Sequence, residues 1–258
     1  MRNIGISSSC FYPLETEKAF QLLAENGIKT AEIFINAKSE LQKSFLDELN
    51  AIRNHYGIRV TSLHPYSSFA ENFMLFSSYK RRFEDFFADL PLHFEAARLL
   101  GAKYYVVHGI RLPGSIADGE YFERFAAMIA LGKKFGVLPV QENVVNHRSE
   151  SPAFLLKMKE AVGEDFKMVL DTKQALRAGH TAFEFVEKLG GSICHVHISD
   201  YSQTNDCITP LRGQLDFQRL FREMERQGYD GDYIIELYNN GFRDICELKG
   251  AVAVLSTL

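Results

Sequence analysis

The sequence predicts an α/β chain folded as a single (β/α)8 TIM barrel over residues 1–258. Three observations carry this. Eight short β-branched or aromatic runs recur, beginning near residues 4, 31, 60, 104, 137, 168, 193 and 233. Amphipathic helical patterns lie between them, and strand and helix alternating in this order give a mostly parallel sheet. The chain has 258 residues and no evident linker, close to the ~250 that eight closed units need. An open, doubly wound sheet is the competing arrangement. Against it, the first strand–helix turn reads Ser7-Ser8-Ser9-Cys10, without the GxGxxG that cradles a dinucleotide.

The elements follow in order. Asn3–Ser7 is the first strand, and Thr16–Glu25 the first helix, striped by Phe20, Leu22 and Leu23. Ala31–Ile35 and Arg59–Leu63 are the second and third strands. After a long interval containing an extended loop over Tyr66–Tyr79, a candidate lid, come the helix Phe83–Leu100 and the strand Tyr104–Val107. Glu120–Phe135, Val137–Gln141, Phe154–Val162, Lys167–Leu170, Ala182–Leu189, Ile193–Ile198, Phe217–Gln227, Tyr233–Leu237 and Asp244–Leu255 then alternate between helix and strand. Gly27, Gly57, Gly101, Gly136, Gly190 and Gly228 each stand between a helical run and a strand, where a left-handed residue closes a helix. Phe83, Phe86, Phe87, Phe94, Phe122 and Phe125 read as helix-to-barrel core, and Arg81-Arg82 as a solvated face.

Composition narrows the function. With 29 Lys and Arg against 33 Asp and Glu, the net charge is −4, and no basic stripe marks a nucleic-acid binder. No run approaches the ~18 to 20 apolar residues of a membrane span. The opening MRNIGISSSCFYP lacks the apolar core of a signal peptide, so a cytoplasmic protein is expected. Cys10, Cys194, Cys207 and Cys246 form no CxxC pair and are expected as free thiols.

A (β/α)8 barrel builds its active site at the C-terminal ends of its strands. Those ends are unusually ionisable here: Glu32 within the second strand, His64 after the third, His108 after the fourth, Glu142 after the fifth, Asp171 after the sixth, His195 and His197 on the seventh, and Glu236 on the eighth. Any one of these could be a helix cap or a satisfied hydrogen-bonding group. Together they would converge, and convergent buried carboxylates repel unless a cation joins them. Carboxylates with a neutral imidazole suit one divalent ion: Mn²⁺, Mg²⁺, Co²⁺ or Zn²⁺. In Ile193-Cys194-His195-Val196-His197-Ile198, strand alternation puts both histidines on one face and the apolar residues on the other, which helices cover. His197, nearer the strand end, is the better ligand, with His195 one layer below. His55, His93, His147 and His180 read as structural or surface residues.

With these residues in place, the chain resembles the xylose-isomerase-like TIM-barrel superfamily, which includes sugar (phosphate) isomerases and epimerases, inosose dehydratase and endonuclease IV. The resemblance rests on Leu63-His64-Pro65-Tyr66, Val106-Val107-His108-Gly109, Gln141-Glu142-Asn143, Leu170-Asp171-Thr172, His195 to Asp200, Arg212 to Phe217 and Ile235-Glu236-Leu237. It implies a metal on Glu142, Asp171, His197 and Glu236, with the two glutamates also handling protons. Two departures stand out. Asp171-Thr172-Lys173-Gln174 lacks the histidine of the family's Asp-x-x-His. Asn205-Asp206-Cys207-Ile208 replaces the Asp-x-His of endonuclease IV-like members. Both would remove ligands of that nuclease's third zinc, while His64 and His108 match ligands of its first.

The leading expectation is therefore a metal-dependent isomerase or epimerase of a small sugar or sugar phosphate. A cation on a ketose carbonyl and the adjacent hydroxyl acidifies the proton between them, and Glu142 or Glu236 removes it. His64, His108, Lys173 and Gln174 would contact substrate hydroxyls or phosphate, and Arg243 is either a phosphate contact, standing where barrels often bind phosphate, or an exposed solubilising residue. An inosose dehydratase-like lyase, an endonuclease IV-like phosphodiesterase and a non-catalytic metal- or sugar-binding protein are the alternatives. The expected partner is a small carbohydrate, not a membrane or a nucleic acid, and a homo-oligomer is left open.

Overall fold

The computed structural model describes residues 2–258. Eight parallel strands close into a barrel in sequence order, so the open-sheet alternative is excluded. They are β1 (Ile4–Ser7), β2 (Thr30–Phe34), β3 (Arg59–His64), β4 (Tyr104–Val107), β5 (Leu138–Glu142), β6 (Met168–Asp171), β7 (Ile193–Ile198) and β8 (Tyr233–Ile235). Closure is made by β1 against β8, with Ile4 opposite Tyr233 and Ile6 opposite Ile235. The described helices are α1 (Thr16–Glu25), α2 (Lys43–Tyr56), α3 (Lys80–Leu100), α4 (Asp118–Lys133), α5 (Pro152–Val162), α6 (Thr172–Arg177), α7 (Ala182–Leu189), α8 (Phe217–Arg226) and α9 (Ile245–Leu255).

Two helices go beyond the sequence reading. α2 showed only its terminator, Gly57, because just Leu46 and Leu49 are fully buried along it and no side chain caps its start. α6 is a short turn of helix seeded by Asp171, whose carboxylate accepts from Gln174 N at 2.8 Å. Gly190 also departs from expectation: its φ is −47°, not left-handed. Its glycine answers a packing need, since a Cβ there would stand 2.3 Å from Gln227 Cγ, just past α8.

The main apolar core lies between barrel and helices, with Phe20, Leu23, Phe94, Phe125, Phe185 and Phe221 fully buried. Inside the barrel, Val106, Val140 and Val169 form a separate small cluster. Strand alternation then sets the next inward layer, two residues further along, at the open end. At the opposite end Asp232 ties the sheet together, accepting from Arg59 Nη1 at 2.8 Å and Thr61 Oγ1 at 2.6 Å.

Candidate active site

The inward positions two residues beyond Val140 and Val169 are Glu142 and Asp171, and two beyond His195 is His197. Glu142, Asp171 and His197 are all buried, and Glu236 follows β8 directly. His197 is the centre of this group. Its Nδ1 lies 3.1 Å from Glu142 Oε1, 3.4 Å from Glu236 Oε2 and 3.9 Å from Asp171 Oδ2. The four expected ligands thus offer one donor atom each, all within 4.8 Å of one another. His64 and His108 form the adjoining wall, their Nε2 atoms 3.0 Å apart. Glu142 Oε2 is 3.0 Å from His108 and 3.8 Å from His64, and neither contact is aligned as a hydrogen bond.

Backbone cross-ties hold these strand ends. Asn143 clamps the last residue of β6, donating to Asp171 O at 3.0 Å and accepting from Asp171 N at 2.7 Å. Gln141 Nε2 donates to the carbonyls of Val107 and His108 at 3.1 and 3.0 Å, steadying the segment that carries His108. Buried Glu71 accepts from Gly109 N at 2.6 Å from the other side. Asp200 organises the loop after β7 by accepting from Gly213 N at 2.8 Å and Leu215 N at 2.9 Å. A Cβ at residue 213 would lie 2.0 Å from Tyr201 O, so that loop needs glycine there.

Beneath His197 is a fully buried carboxylate. Glu32 Oε2 lies 3.0 Å from His197 Nε2 and accepts from Ser62 Oγ at 2.7 Å, while Oε1 accepts from Ser7 Oγ at 3.0 Å. Glu32 stood out in the sequence as ionisable. Its partnership with His197, across the barrel, left no signal there. His195 sits in the same layer, 3.1 Å from Ser62 Oγ, and has no contact with Glu142, Asp171 or Glu236.

The electrostatics are those of a site short of positive charge. Burial pushes the Asp171 carboxyl up to about 7, with Glu142 and Glu236 adding to the rise and Lys173 opposing it. Burial works against the charged forms of Glu142 and Glu236 as well. The histidines outweigh it for Glu142, and Lys173 with His197 outweighs it for Glu236, so both stay well below the usual carboxylate range. His197 is held protonated against burial by Glu32, Glu236 and Glu142. Glu142 Oε2 and Asp171 Oδ2 are buried without an aligned hydrogen bond, although Lys173 Nζ lies 3.4 Å from the latter. Orphaned carboxylate oxygens, an imidazole nitrogen among three carboxylates and an all-O/N donor set fit a divalent cation.

The remaining expected residues divide. Lys173 is buried, and its Nζ is taken up 3.2 Å from Glu236 Oε2 and 3.4 Å from Asp171 Oδ2, so it belongs with the acidic group and is not free for a phosphate. Gln174 lines the cavity while its Oε1 accepts from Val145 N at 3.2 Å. Arg243 lies outside that cavity, exposed and paired with Glu247 at 3.0 Å. Asp206 is engaged by Arg177, 2.6 Å away. The cavity above the group measures about 440 Å³. Glu142, Glu236, His64, His108, Lys173 and Gln174 line it, together with an aromatic wall the sequence reading did not anticipate. The Tyr66–Tyr79 segment forms one side and is anchored, not free: Leu75 and Phe76 are buried, and Arg124 Nη1 donates to Leu75 O at 2.8 Å and Ser77 O at 2.9 Å.

Known proteins share this architecture. An uncharacterized protein of Mycobacterium leprae is 23% identical over 269 residues, covering 95% of this chain and 91% of its own. The crystal structure of a D-tagatose 3-epimerase-like protein superposes with a TM-score of 0.80 at 20% identity, covering 99% of this chain and 96% of that one. An AP endonuclease, family 2, from Brucella melitensis superposes with a TM-score of 0.77 at 18% identity, covering 100% and 99%. One fold therefore carries both names, and at these identities the likeness concerns the fold. A family model matches residues 20–256, and the chain belongs to the xylose isomerase-like TIM barrel family.

Proposed function

We propose that this protein is an isomerase or epimerase of a small sugar, working with one divalent cation held by Glu142, Asp171, His197 and Glu236. One observation carries the reading: of these four, only Glu142 and Glu236 line the cavity, while Asp171 and His197 lie beneath it. Asp171 and His197 would then only hold the ion, while Glu142 and Glu236 would both hold it and face the substrate. A bound cation would acidify a C–H bond next to a sugar carbonyl. Glu142 and Glu236 come from strands three steps apart around the ring, so they flank the cavity from different sides. One removes the proton from one face of the carbon and the other returns it to the opposite face, as an epimerisation requires. Lys173, against Glu236, keeps that carboxylate ionised and ready to accept. A lyase of the inosose dehydratase type would use the same first proton abstraction and differ only in expelling a hydroxyl.

The test is turnover beside metal content for Glu142→Gln and Glu236→Gln, with solvent deuterium uptake at the carbon next to the carbonyl. Each variant should lose at least ~100-fold in turnover, as removal of a general base does, while retaining metal through the amide oxygen. Near-native turnover in both would make these glutamates ligands only.

A second reading has its own observation. His64, His108 and Glu142 also bring donor atoms within 4.8 Å of one another, which would suit a second cation and hydrolysis of a phosphodiester. Metal stoichiometry separates the two, as does DNA binding that falls steeply with salt.

A further inference from the structure

Resting on the assignment of the acidic floor as the reaction centre, we infer that the substrate is uncharged and unphosphorylated, a ketose glycosylated at its end remote from the floor. The argument begins with charge. Lys173 is the one Lys or Arg side chain lining the cavity, and Asp171 and Glu236 already hold its ammonium. The nearby guanidinium of Arg177 is engaged as well, 2.6 Å from Asp206 Oδ2 and 2.8 Å from the Tyr238 hydroxyl. A phosphate would bring about −1.5 to −2 charges into a chamber floored by carboxylates. Phosphate sites are built from free Arg, Lys or backbone N–H groups. Gln174 N, at the start of the helix nearest the floor, is already occupied by Asp171 Oδ1 at 2.8 Å.

Shape gives the second half. The walls above the floor are aromatic. Phe34 and Tyr66 stand lower, and Tyr12, Phe69 and Tyr238 form a collar at the mouth, 62%, 79% and 48% exposed respectively. These three come from the loops after β8, β1 and β3, along one side of the ring. Aromatic faces of this kind pack against the C–H faces of a sugar ring. They offer little to a free ketose seated on the floor, whereas a second ring attached to it would lie against them. The 440 Å³ cavity falls within the ~300–1,000 Å³ of small-molecule sites and gives that ring room.

The experiment is a matched series in which one end of the sugar varies: D-fructose, fructose 6-phosphate, 6-O-α-glucosylfructose and 4-O-β-galactosylfructose. Binding to the metal-loaded protein is measured by calorimetry and saturation-transfer NMR, neither of which needs turnover. At least one ketodisaccharide should bind ten-fold or more tightly than fructose, and fructose 6-phosphate should bind no better than fructose. Phe69→Ala and Tyr12→Ala, both on exposed positions that leave folding undisturbed, should each cost the disaccharide five-fold or more and change fructose less than two-fold. Preference for the phosphate, equal affinity for fructose and both disaccharides, or insensitivity of the disaccharide to both alanines overturns the inference. Loss of all deuterium uptake with disaccharide binding intact would strike the isomerase reading instead and leave the collar standing.

Discussion

Replacing Glu32 by Gln should weaken divalent-cation binding by 10- to 100-fold and leave the barrel folded. Glu32 makes three contacts of 3.0 Å or less, to Ser7, Ser62 and His197 Nε2. Glutamine preserves them in shape: its oxygen can take the Nε2 proton, and its amide can donate to a serine hydroxyl rotated to accept. What disappears is a full negative charge. A cation on Nδ1 would stand about 7 Å from it, adding the 3.0 Å contact, the imidazole ring and a metal–nitrogen bond of ~2.1 Å. At an effective dielectric of ~20, that charge acting on a divalent ion is worth about 5 kcal/mol before other charges screen it. The screened value should approach what carboxylate partners of metal-bound histidines contribute, 10- to 100-fold in affinity or about 1.4–2.7 kcal/mol. Manganese titration followed by electron paramagnetic resonance gives Kd, and thermal melting in chelator checks the fold. A Kd within two-fold of the parent, with melting unchanged, would refute the reasoning and show that His197 needs no anionic partner.

Three further outcomes follow from the charges and burial described above. Lys173→Met should destabilise the metal-free protein by roughly 3 kcal/mol, the cost of breaking a buried pair, and metal should restore most of it; equal melting in chelator would refute this. Cation binding should weaken on acidification, because His197 is held as an imidazolium by Glu32, Glu236 and Glu142 and must shed its Nδ1 proton to ligate; calorimetry in two buffers of different ionisation heat should detect that proton, and pH-independent affinity would place the ion elsewhere. His93 is lowered to about 4 by burial, with Lys38 helping, Asp89 opposing and the Tyr105 hydroxyl 3.1 Å away. The unfolded chain therefore takes up this proton near pH 6.5 and the folded one only near 4, so stability falls as pH drops through that window, by about 3 kcal/mol in total. Urea denaturation of His93→Gln should show a shallower loss between those pH values, and an identical slope would count against it.

Much of the candidate site's geometry was legible because a barrel leaves few choices. Once strands are recognised, alternation decides which residues face in, and the apolar Val196 and Ile198 fix the orientation of His195 and His197. Glu142, Asp171 and Glu236 follow from strand ends alone. What escaped reading was whatever depends on contacts between distant elements. Glu32 meets a histidine 165 positions away. Glu71 sits in a loop with no periodicity, and burial pushes its carboxyl well up. Lys173 was expected to contact substrate and does line the cavity, but its ion pairs with Asp171 and Glu236 left no signal in the sequence. α2 went unread because a helix with two buried apolar residues has almost no stripe.

The layer just below Glu142, Asp171 and His197 bears on the proposed metal site. On one side of the barrel that layer is apolar, built by Val106, Val140 and Val169 from β4, β5 and β6. On the other side it is polar, with Glu32, Ser62 and His195 from β2, β3 and β7, all fully buried. Burial lowers the His195 imidazole and keeps it neutral. It therefore brings no charge to compete for Glu32, whose negative charge is directed to His197. Had the valines continued around the ring, His197 Nε2 would face hydrocarbon, and its ring would be free to turn away from the three carboxylates. Had the polar half continued instead, Glu142 and Asp171 would find donors beneath them and lose the orphaned oxygens that call for a metal. The asymmetry leaves the histidine partnered from below and one oxygen each of Glu142 and Asp171 without an aligned hydrogen bond, the arrangement on which the proposed metal site rests.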